Sequence, residues 1–378
     1  IIYYFYIYLK KIMKKNFEIK LKRIKEDGTI KQIRDAAIPF LSEKKIDNFI
    51  LSCEEKQHGT LNVKSLPWLI ILEPTNVCNL RCPLCPTGLE LSERKRGIAD
   101  INEVKKFLYS IKDHCIQLHL QAWGEPTLHK KLCEIISYCK ELGIYTYMST
   151  NFSLKYKEGF LEKLVTSGLS YLHIDLDGLT QEVYSMYRKR GDVNIVLNNL
   201  EQVCKIKEEK KLDYPKIELA MLAMKQNEHQ HEEFLKLKER FKVDQLKIGN
   251  IQYNPNLITE YLPKNKKYIY KSYENGEADT NSSTVSEQKR CNWPWSGFVV
   301  NYSGDISACC IIDDPHSDFG NVFKDGVKKI WNNDYYVSAR AEFVDRNQIK
   351  INTICNVCKN ETHSKDLKRL GSSFAIKK

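Results

Sequence analysis

From Pro67 onward the chain alternates short apolar runs with amphipathic stretches. Trp68-Leu69-Ile70-Ile71-Leu72 is a continuous apolar run of strand length, as a strand buried on both faces requires. Asp100 and Glu103 form a capping-box pattern. Behind them Ile101, Val104, Phe107, Leu108 and Ile111 mark one apolar stripe of a helix. The next strand is predicted over Ile116–Ala122, and Leu128, Leu132, Ile135, Ile136 and Cys139 stripe the helix after it. Further strands are predicted at Ile144–Met148, Leu169–Leu176, Ile217–Met224 and Gln245–Ile248. Helices are predicted near Gly159–Val165, through Val196, Leu200 and Val203, and over Glu232–Phe241. Six strands separated by helices predict an α/β fold with parallel strands. Ligands of such folds gather at the C-terminal ends of the strands.

The flanks read differently. Residues 14–64 look like a charged helical extension carrying Ile30, Ile33, Ala36, Ala37, Phe40, Leu41, Ile46, Phe49 and Ile50 at irregular helical spacing, with Pro39 interrupting. It is expected to cover one side of the main domain. The run Ile1–Leu9 is too short to span a bilayer, and Lys10 and Lys11 follow it where a signal peptide would carry its charge in front. It is expected to be a loosely packed end, with Met13 a candidate start. Residues 264–290 are rich in Lys, Asn and Ser and read as a linker. The chain thus divides into an extension (1–64), an α/β unit (65–263), a linker (264–290) and a cysteine-bearing unit (291–378).

Composition narrows the chemistry. With 378 residues, 42% of them hydrophobic and 28% charged, the chain can bury a sizeable core and carries no transmembrane pattern. It holds 13 cysteines but is not the short secreted type in which such a number means disulfides. A cytoplasmic location is expected. Cys133 and Cys139 sit in an apolar helical pattern and, with Cys53, Cys115 and Cys204, read as packing residues. The other cysteines fall into two groups. The formal charge of +11 is spread through Lys-rich helices, so nucleic acid is not an expected partner. Metal clusters would offset it, since a cubane on three thiolates carries about −1 and on four about −2.

The first group is Cys78-Asn79-Leu80-Arg81-Cys82-Pro83-Leu84-Cys85, directly after the first predicted strand. Three thiolates on one tight loop can hold three irons of a cubane and leave the fourth open to a small molecule. A structural zinc needs a fourth ligand, and none is evident in the loop. The motif and its place after strand one resemble the radical SAM superfamily. That resemblance implies a partial (β/α)6 barrel, a [4Fe–4S] cluster on Cys78, Cys82 and Cys85, and S-adenosylmethionine (SAM) bound to the open iron. Leu84 departs from the aromatic residue that commonly precedes the last cysteine. Gly124-Glu125-Pro126 resembles the family's segment that recognises the SAM amino group, with Trp123 in place of a common extra glycine. Asp177-Gly178, Tyr184, Arg188 and Gly191-Asp192 resemble a further block of one subgroup. By that resemblance Arg188 pairs with the SAM carboxylate and Asp175 contacts the ribose.

The second group is Cys291, Cys309, Cys355 and Cys358, a full four-thiolate set suited to zinc or to a cubane. Gly304 ahead of Cys309, Phe319-Gly320-Asn321-Val322 and Ile330-Trp331 resemble the SPASM family of C-terminal extensions. No cysteine follows Cys358, so the resemblance is to a shortened SPASM-like domain with one auxiliary [4Fe–4S] cluster. Cys310 is the alternative to Cys309. The resemblance implies two [4Fe–4S] clusters and SAM as cofactors, and a reducing partner such as flavodoxin or ferredoxin. It also implies an enzyme that cleaves SAM reductively and oxidises or modifies a peptide, protein or sugar-like molecule. The alternatives are a radical rearrangement or group transfer with a structural auxiliary cluster, and a non-enzymatic metal-binding scaffold.

Overall fold

The computed structural model describes residues 16–26, 28–251, 260–268 and 291–358. The apolar run at residues 1–9, most of the linker and the end beyond 358 lie outside these. Helix α1 covers residues 16–26 and α2 spans Glu43–His58. The irregular spacing around Pro39 resolves into two 3-10 turns, Thr29–Gln32 and Asp35–Phe40. Ser42 then caps α2, its hydroxyl accepting from the Lys45 N–H.

The six predicted strands are present as β1 (Leu69–Leu72), β2 (Gln117–Leu120), β3 (Tyr145–Thr150), β4 (Tyr171–Asp175), β5 (Lys216–Ala223) and β6 (Gln245–Asn250). They lie side by side in chain order, each pair parallel. Helices α3 (Ile101–Ile111), α4 (Leu132–Glu141), α5 (Phe160–Thr166), α6 (Gln181–Tyr187), α7 (Val193–Glu209) and α8 (His231–Phe241) connect them. Asp100 caps α3 by accepting from the N–H groups of Asn102 and Glu103. The reciprocal half of the expected capping box is missing, because Glu103 pairs with Lys106 at 2.7 Å instead.

One strand face is apolar and packs on the helices. Ile70, Leu72, Leu118, Leu120, Met148, Leu172, Ile174 and Leu219 join the stripes of α3, α4 and α7 in one core. The opposite face is polar: His119, Tyr147, Ser149, His173, Asp175 and Glu218 occupy alternate positions in register across β2 to β5, as strand periodicity demands.

The N-terminal extension closes the end of this sheet where the strands begin. Ile24, Ile33, Ala37, Ile46 and Phe49 pack with Trp68, Ile116, Tyr145, Tyr147 and Tyr171. The Arg34 guanidinium lies 4.3 Å from the Tyr147 ring centre and 5.2 Å from that of Tyr171.

C-terminal to residue 290 the chain rejoins the same sheet. Cys291 leads into the short helix α9 (Trp293–Ser296) and strand β7 (Gly297–Val300), which pairs parallel with β1. β8 (Ile306–Ser307) adds antiparallel to β7, completing an eight-stranded order β6-β5-β4-β3-β2-β1-β7-β8. Gly297 is required at this junction, since a Cβ there would stand 1.7 Å from the Leu69 carbonyl oxygen. Helices α10 (Val322–Asp325), α11 (Val327–Trp331), α12 (Asp334–Ala341) and α13 (Ile354–Val357) follow. The buried Arg340 fastens this part together. It donates to the carbonyls of Pro294, Leu61 and Trp331, each at 2.8 Å, and to Asn332 Oδ1 at 3.0 Å. Burial pulls its pKa down to about 9. Among the described residues no helix is long and apolar enough to cross a membrane.

Candidate functional site

The loop between β1 and α3 carries Cys78, Cys82 and Cys85 and is braced on both sides. Thr75 Oγ1 donates to the Gly97 carbonyl at 2.7 Å, and Asn76 exchanges hydrogen bonds with Lys95 O and Gly97 N. The Glu125 N–H donates to Val77 O at 2.8 Å. Gly124 makes that approach possible, for a Cβ on it would lie 1.9 Å from Thr75 O. Leu80, Leu84, Tyr187, Met224, Ile251 and Tyr261 pack around the three cysteines.

Each sulfur meets N–H donors. Leu80 N lies 3.4 Å and Asn151 Nδ2 3.8 Å from Cys78 Sγ. Arg188 Nη1 lies 4.0 Å from Cys82 Sγ. The backbone N–H groups of Gly88 and Thr87 face Cys85. Burial pushes the Cys78 thiol up to about 12 and the Cys82 thiol up to about 11. Without a cation these thiols stay protonated, whereas a metal cluster would hold them as thiolates. Among the described residues the one group of three potential metal-ligand atoms mutually within 4.8 Å is Glu93, Asp314 and His316, mostly exposed. A mononuclear zinc would need a fourth protein ligand beside the three loop sulfurs. The donor set and its N–H partners fit an iron–sulfur cluster better.

The other residues singled out from the sequence converge on the same end of the sheet. Glu125 is buried, and its carboxylate accepts from Thr127 N, Thr127 Oγ1, Thr150 Oγ1 and Asn151 N at 2.6–3.0 Å. Burial raises its pKa against those bonds. Its carboxylate thus ties the end of β2 to the end of β3, and its backbone holds the cysteine loop. Arg188 follows α6 and is gripped by two carboxylates, Nε on Asp177 Oδ2 at 2.5 Å and Nη2 on Asp175 Oδ1 at 3.4 Å. Asp177 in turn accepts from the Leu222 N–H at 2.7 Å. Burial opposes the Asp175 charge, but Arg188 and His173 hold its carboxyl well below the usual range.

Sequence reasoning missed the polar row behind Asp175. His173 Nε2 lies 3.3 Å from Asp175 Oδ1 and its Nδ1 lies 2.5 Å from Glu218 Oε1. Tyr171 OH is 2.9 Å from both Glu218 Oε2 and Gln245 Oε1. An imidazole bonded to two carboxylates donates from both nitrogens only as the cation. Burial works against that cation, yet Asp175 and Glu218 raise it to about 9. The signal was present in Tyr171-Leu172-His173-Ile174-Asp175, where polar and apolar residues alternate.

The second cysteine group comes from three separate segments. Cys291 precedes α9, Cys309 and Cys310 follow β8, and Cys355 and Cys358 lie at α13. In the folded chain they are electrostatic neighbours. Cys309 has Cys310, Cys355 and Cys358 as electrostatic neighbours, and Cys355 has Cys291 and Cys358. Burial drives the Cys309 and Cys355 thiols upward. Cys309 packs against the main core, whereas Cys310 is exposed. Cys115, Cys133 and Cys139 lie in the hydrophobic core. Arg94, from the first loop, reaches across to the second region with a bidentate grip on Asp318 at 2.6 and 2.8 Å. Trp123 Nε1 also crosses, donating to Ile312 O at 3.2 Å.

Residues 72–237 match the Radical SAM superfamily, and residues 291–359 match the SPASM iron–sulfur cluster-binding domain. The chain carries a radical SAM domain joined to a SPASM domain, and with them the implied binding of iron–sulfur cluster and SAM. It is 30% identical over 200 residues to a PqqA peptide cyclase of Bradyrhizobium diazoefficiens, covering 53% of this chain and 50% of that protein. It is 33% identical over 131 residues to a probable GTP 3',8-cyclase of Methanocaldococcus jannaschii, covering 34% and 42%. The chain thus spans about half the length of the peptide cyclase. In fold it is similar to Streptococcus suis SuiB bound to S-adenosylmethionine, with a TM-score of 0.59, 16% identity, and coverage of 88% of this chain and 80% of that one.

Proposed function

We propose that the protein is a cytoplasmic radical SAM enzyme that cleaves SAM reductively and uses the resulting radical to oxidise or crosslink a peptide. Cys78, Cys82 and Cys85 would hold one [4Fe–4S] cluster, and Cys291, Cys309, Cys355 and Cys358 a second. The observation that carries this reading is the convergence of the three-cysteine loop, Gly124-Glu125, Asp175 and Arg188 on one end of the parallel sheet. The peptide substrate rests on similarity to PqqA peptide cyclases. When bound, the first cluster and SAM supply one-electron cleavage and hydrogen-atom abstraction.

The chain's own residues set the stage for that chemistry. Gly124 lets the cysteine loop and the end of β2 share one backbone contact. Glu125 fixes Thr150 and Asn151, and Asn151 in turn reaches Cys78. Arg188, neutralised on one side by Asp177, keeps donors toward Cys82 and Asp175. A SAM carboxylate would be met there by a guanidinium, and its ribose by the Asp175 carboxylate. The apolar packing of Leu80, Leu84 and Tyr187 shields the loop from water.

Anaerobic reconstitution, iron and sulfide counting and a SAM cleavage assay test the proposal. About eight irons per chain are expected, with 5′-deoxyadenosine and methionine as products after reduction. S-adenosylhomocysteine as the sole product would replace this reading with ordinary methyl transfer.

A further inference from the structure

The outer side of the cysteine loop carries a second feature. The turn that delivers Arg188 continues into Lys189 and Arg190, both exposed. The Lys189 carbonyl accepts from the backbone N–H of Arg81 at 3.0 Å, and Arg81 is the residue before Cys82. One hydrogen bond and one peptide unit therefore separate a basic surface turn from a cysteine of the loop. Arg190 has φ of 70°, and the Gly191 N–H closes the turn on Arg188 O at 2.9 Å.

The surface continues on the other flank of Arg81. Glu90 Oε1 bridges Arg81 at 3.1 Å and Arg96 at 3.0 Å. Leu89 and Leu91 flank Glu90, tied by their N–H groups to the carbonyls of Cys85 and Pro86. Both are exposed, at 40% and 48%. Arg81, Arg96, Lys189 and Arg190 against Glu90 give this surface a formal charge of +3. Two exposed leucines among basic residues suit a small, transient, charge-guided interface, the type that electron-transfer partners form.

We propose that Arg81, Lys189, Arg190 and Arg96, with Leu89 and Leu91, form the docking site of a small acidic one-electron carrier protein. The inference rests on the reading of this chain as a reductive SAM-cleaving enzyme, which must receive one electron per cleavage. On the inner side Leu80, Leu84, Tyr187 and Met224 pack against the cysteines, where SAM would sit, so the outer side, with exposed Leu89, Leu91, Lys189 and Arg190, is the side left for a protein partner. Docking there brings the carrier against Arg81 and its neighbour Cys82. The carrier loses one electron, the centre gains it, and no proton or atom is transferred. The positive surface speeds encounter with an acidic carrier and makes it sensitive to salt.

The test compares the reconstituted wild type with the double variant Lys189→Glu/Arg190→Asp. Aspartate is chosen at 190 because it tolerates positive φ. Binding of a flavodoxin is measured by titration at several salt concentrations, and carbodiimide cross-links to it are mapped by mass spectrometry. 5′-Deoxyadenosine formation is followed with dithionite and with reduced flavodoxin. Wild-type affinity should fall with salt, and cross-links should include Lys189. The double variant should bind the carrier about tenfold or more weakly, yet stay within about twofold of wild type with dithionite. Unchanged carrier binding in the double variant would overturn the proposal. So would loss of dithionite-driven cleavage in the double variant alone, since the turn would then be supporting the site itself. Weakened binding of an acidic peptide with carrier binding intact would assign the surface to substrate. A wild type that cleaves no SAM even with dithionite would sink the underlying reading, and this inference with it.

Discussion

The two cysteine groups of this protein solve the same problem in opposite ways. Cys78, Cys82 and Cys85 lie within eight residues, on one loop braced by close neighbours such as Asn76, Lys95 and Gly97 as well as by Glu125 and Lys189 from further along the chain. Cys291, Cys309, Cys355 and Cys358 span 68 residues and meet only because β7, β8 and α13 are folded around them. A local loop can be shaped before its metal arrives, whereas a dispersed set depends on the whole C-terminal fold. The first should fail by chemistry when broken, and the second by chemistry and stability together.

The largest effect belongs to the first loop. Cys82→Ala should abolish 5′-deoxyadenosine formation and remove about four irons. Cys355→Ala should also remove about four irons yet retain SAM cleavage while failing to release oxidised product. Product analysis beside iron counting separates the two. If Cys355→Ala loses SAM cleavage and becomes protease-sensitive, the second centre is chiefly structural.

Arg340 tests the dependence of the second group on its scaffold. Arg340→Leu leaves the carbonyls of Pro294, Leu61 and Trp331 without their donor. The expected loss is about 3 kcal/mol, read from the urea midpoint of the chain. Iron at the second site should fall with it, while iron at Cys78, Cys82 and Cys85 stays. Equal loss at both sites would erase the contrast between them.

A smaller effect lies in the polar row behind the first loop. His173 has a folded pKa of about 9, above its ordinary 6.5. A raised value means the folded state holds the proton more tightly. Its stabilisation is full below about 6.5 and is lost as pH rises through about 9. His173→Gln should therefore be less stable than wild type at pH 6, and the difference should shrink toward pH 9.5. Denaturant midpoints across that range check it. A constant difference would mean that packing, and not the His173 cation, carries the contribution.

How much of this was legible in the sequence follows the same local-versus-dispersed divide. The six strands and most of the helices of the α/β unit were readable because each carries its own apolar run or stripe, from Trp68–Leu72 through Glu232–Phe241, whereas the short helix Gln181–Tyr187 was not recognised. Gly297–Val300 was not recognised as a strand. Its pairing with β1 is set by a partner more than 200 residues away. The Cys78–Cys85 loop was readable at once. The grip of Asp177 and Asp175 on Arg188, the His173–Glu218 pair and the Arg94–Asp318 bridge were not, since each joins residues whose proximity exists only in the folded sheet.

The smallest expected effect concerns Cys310, and it decides how the second group is closed. Cys309 and Cys310 are adjacent, and both have other cysteines of the group as electrostatic neighbours. Their surroundings differ. Cys309 is packed against the hydrophobic core, while Cys310 is exposed to solvent. Exposure does not by itself exclude a ligand, since Cys358 is exposed as well, but the core packing of Cys309 fixes its thiol in place as the setting of Cys310 does not. Four thiolates from Cys291, Cys309, Cys355 and Cys358 would already satisfy a cubane, leaving Cys310 with no iron to bind. Cys310→Ser should accordingly leave iron content and the auxiliary paramagnetic signal as in wild type, while Cys309→Ser should remove about four irons. The reverse pattern would place the ligand on the solvent side. The second group would then be closed from outside the core, and its dependence on the folded scaffold would be weaker than the comparison with the first loop requires.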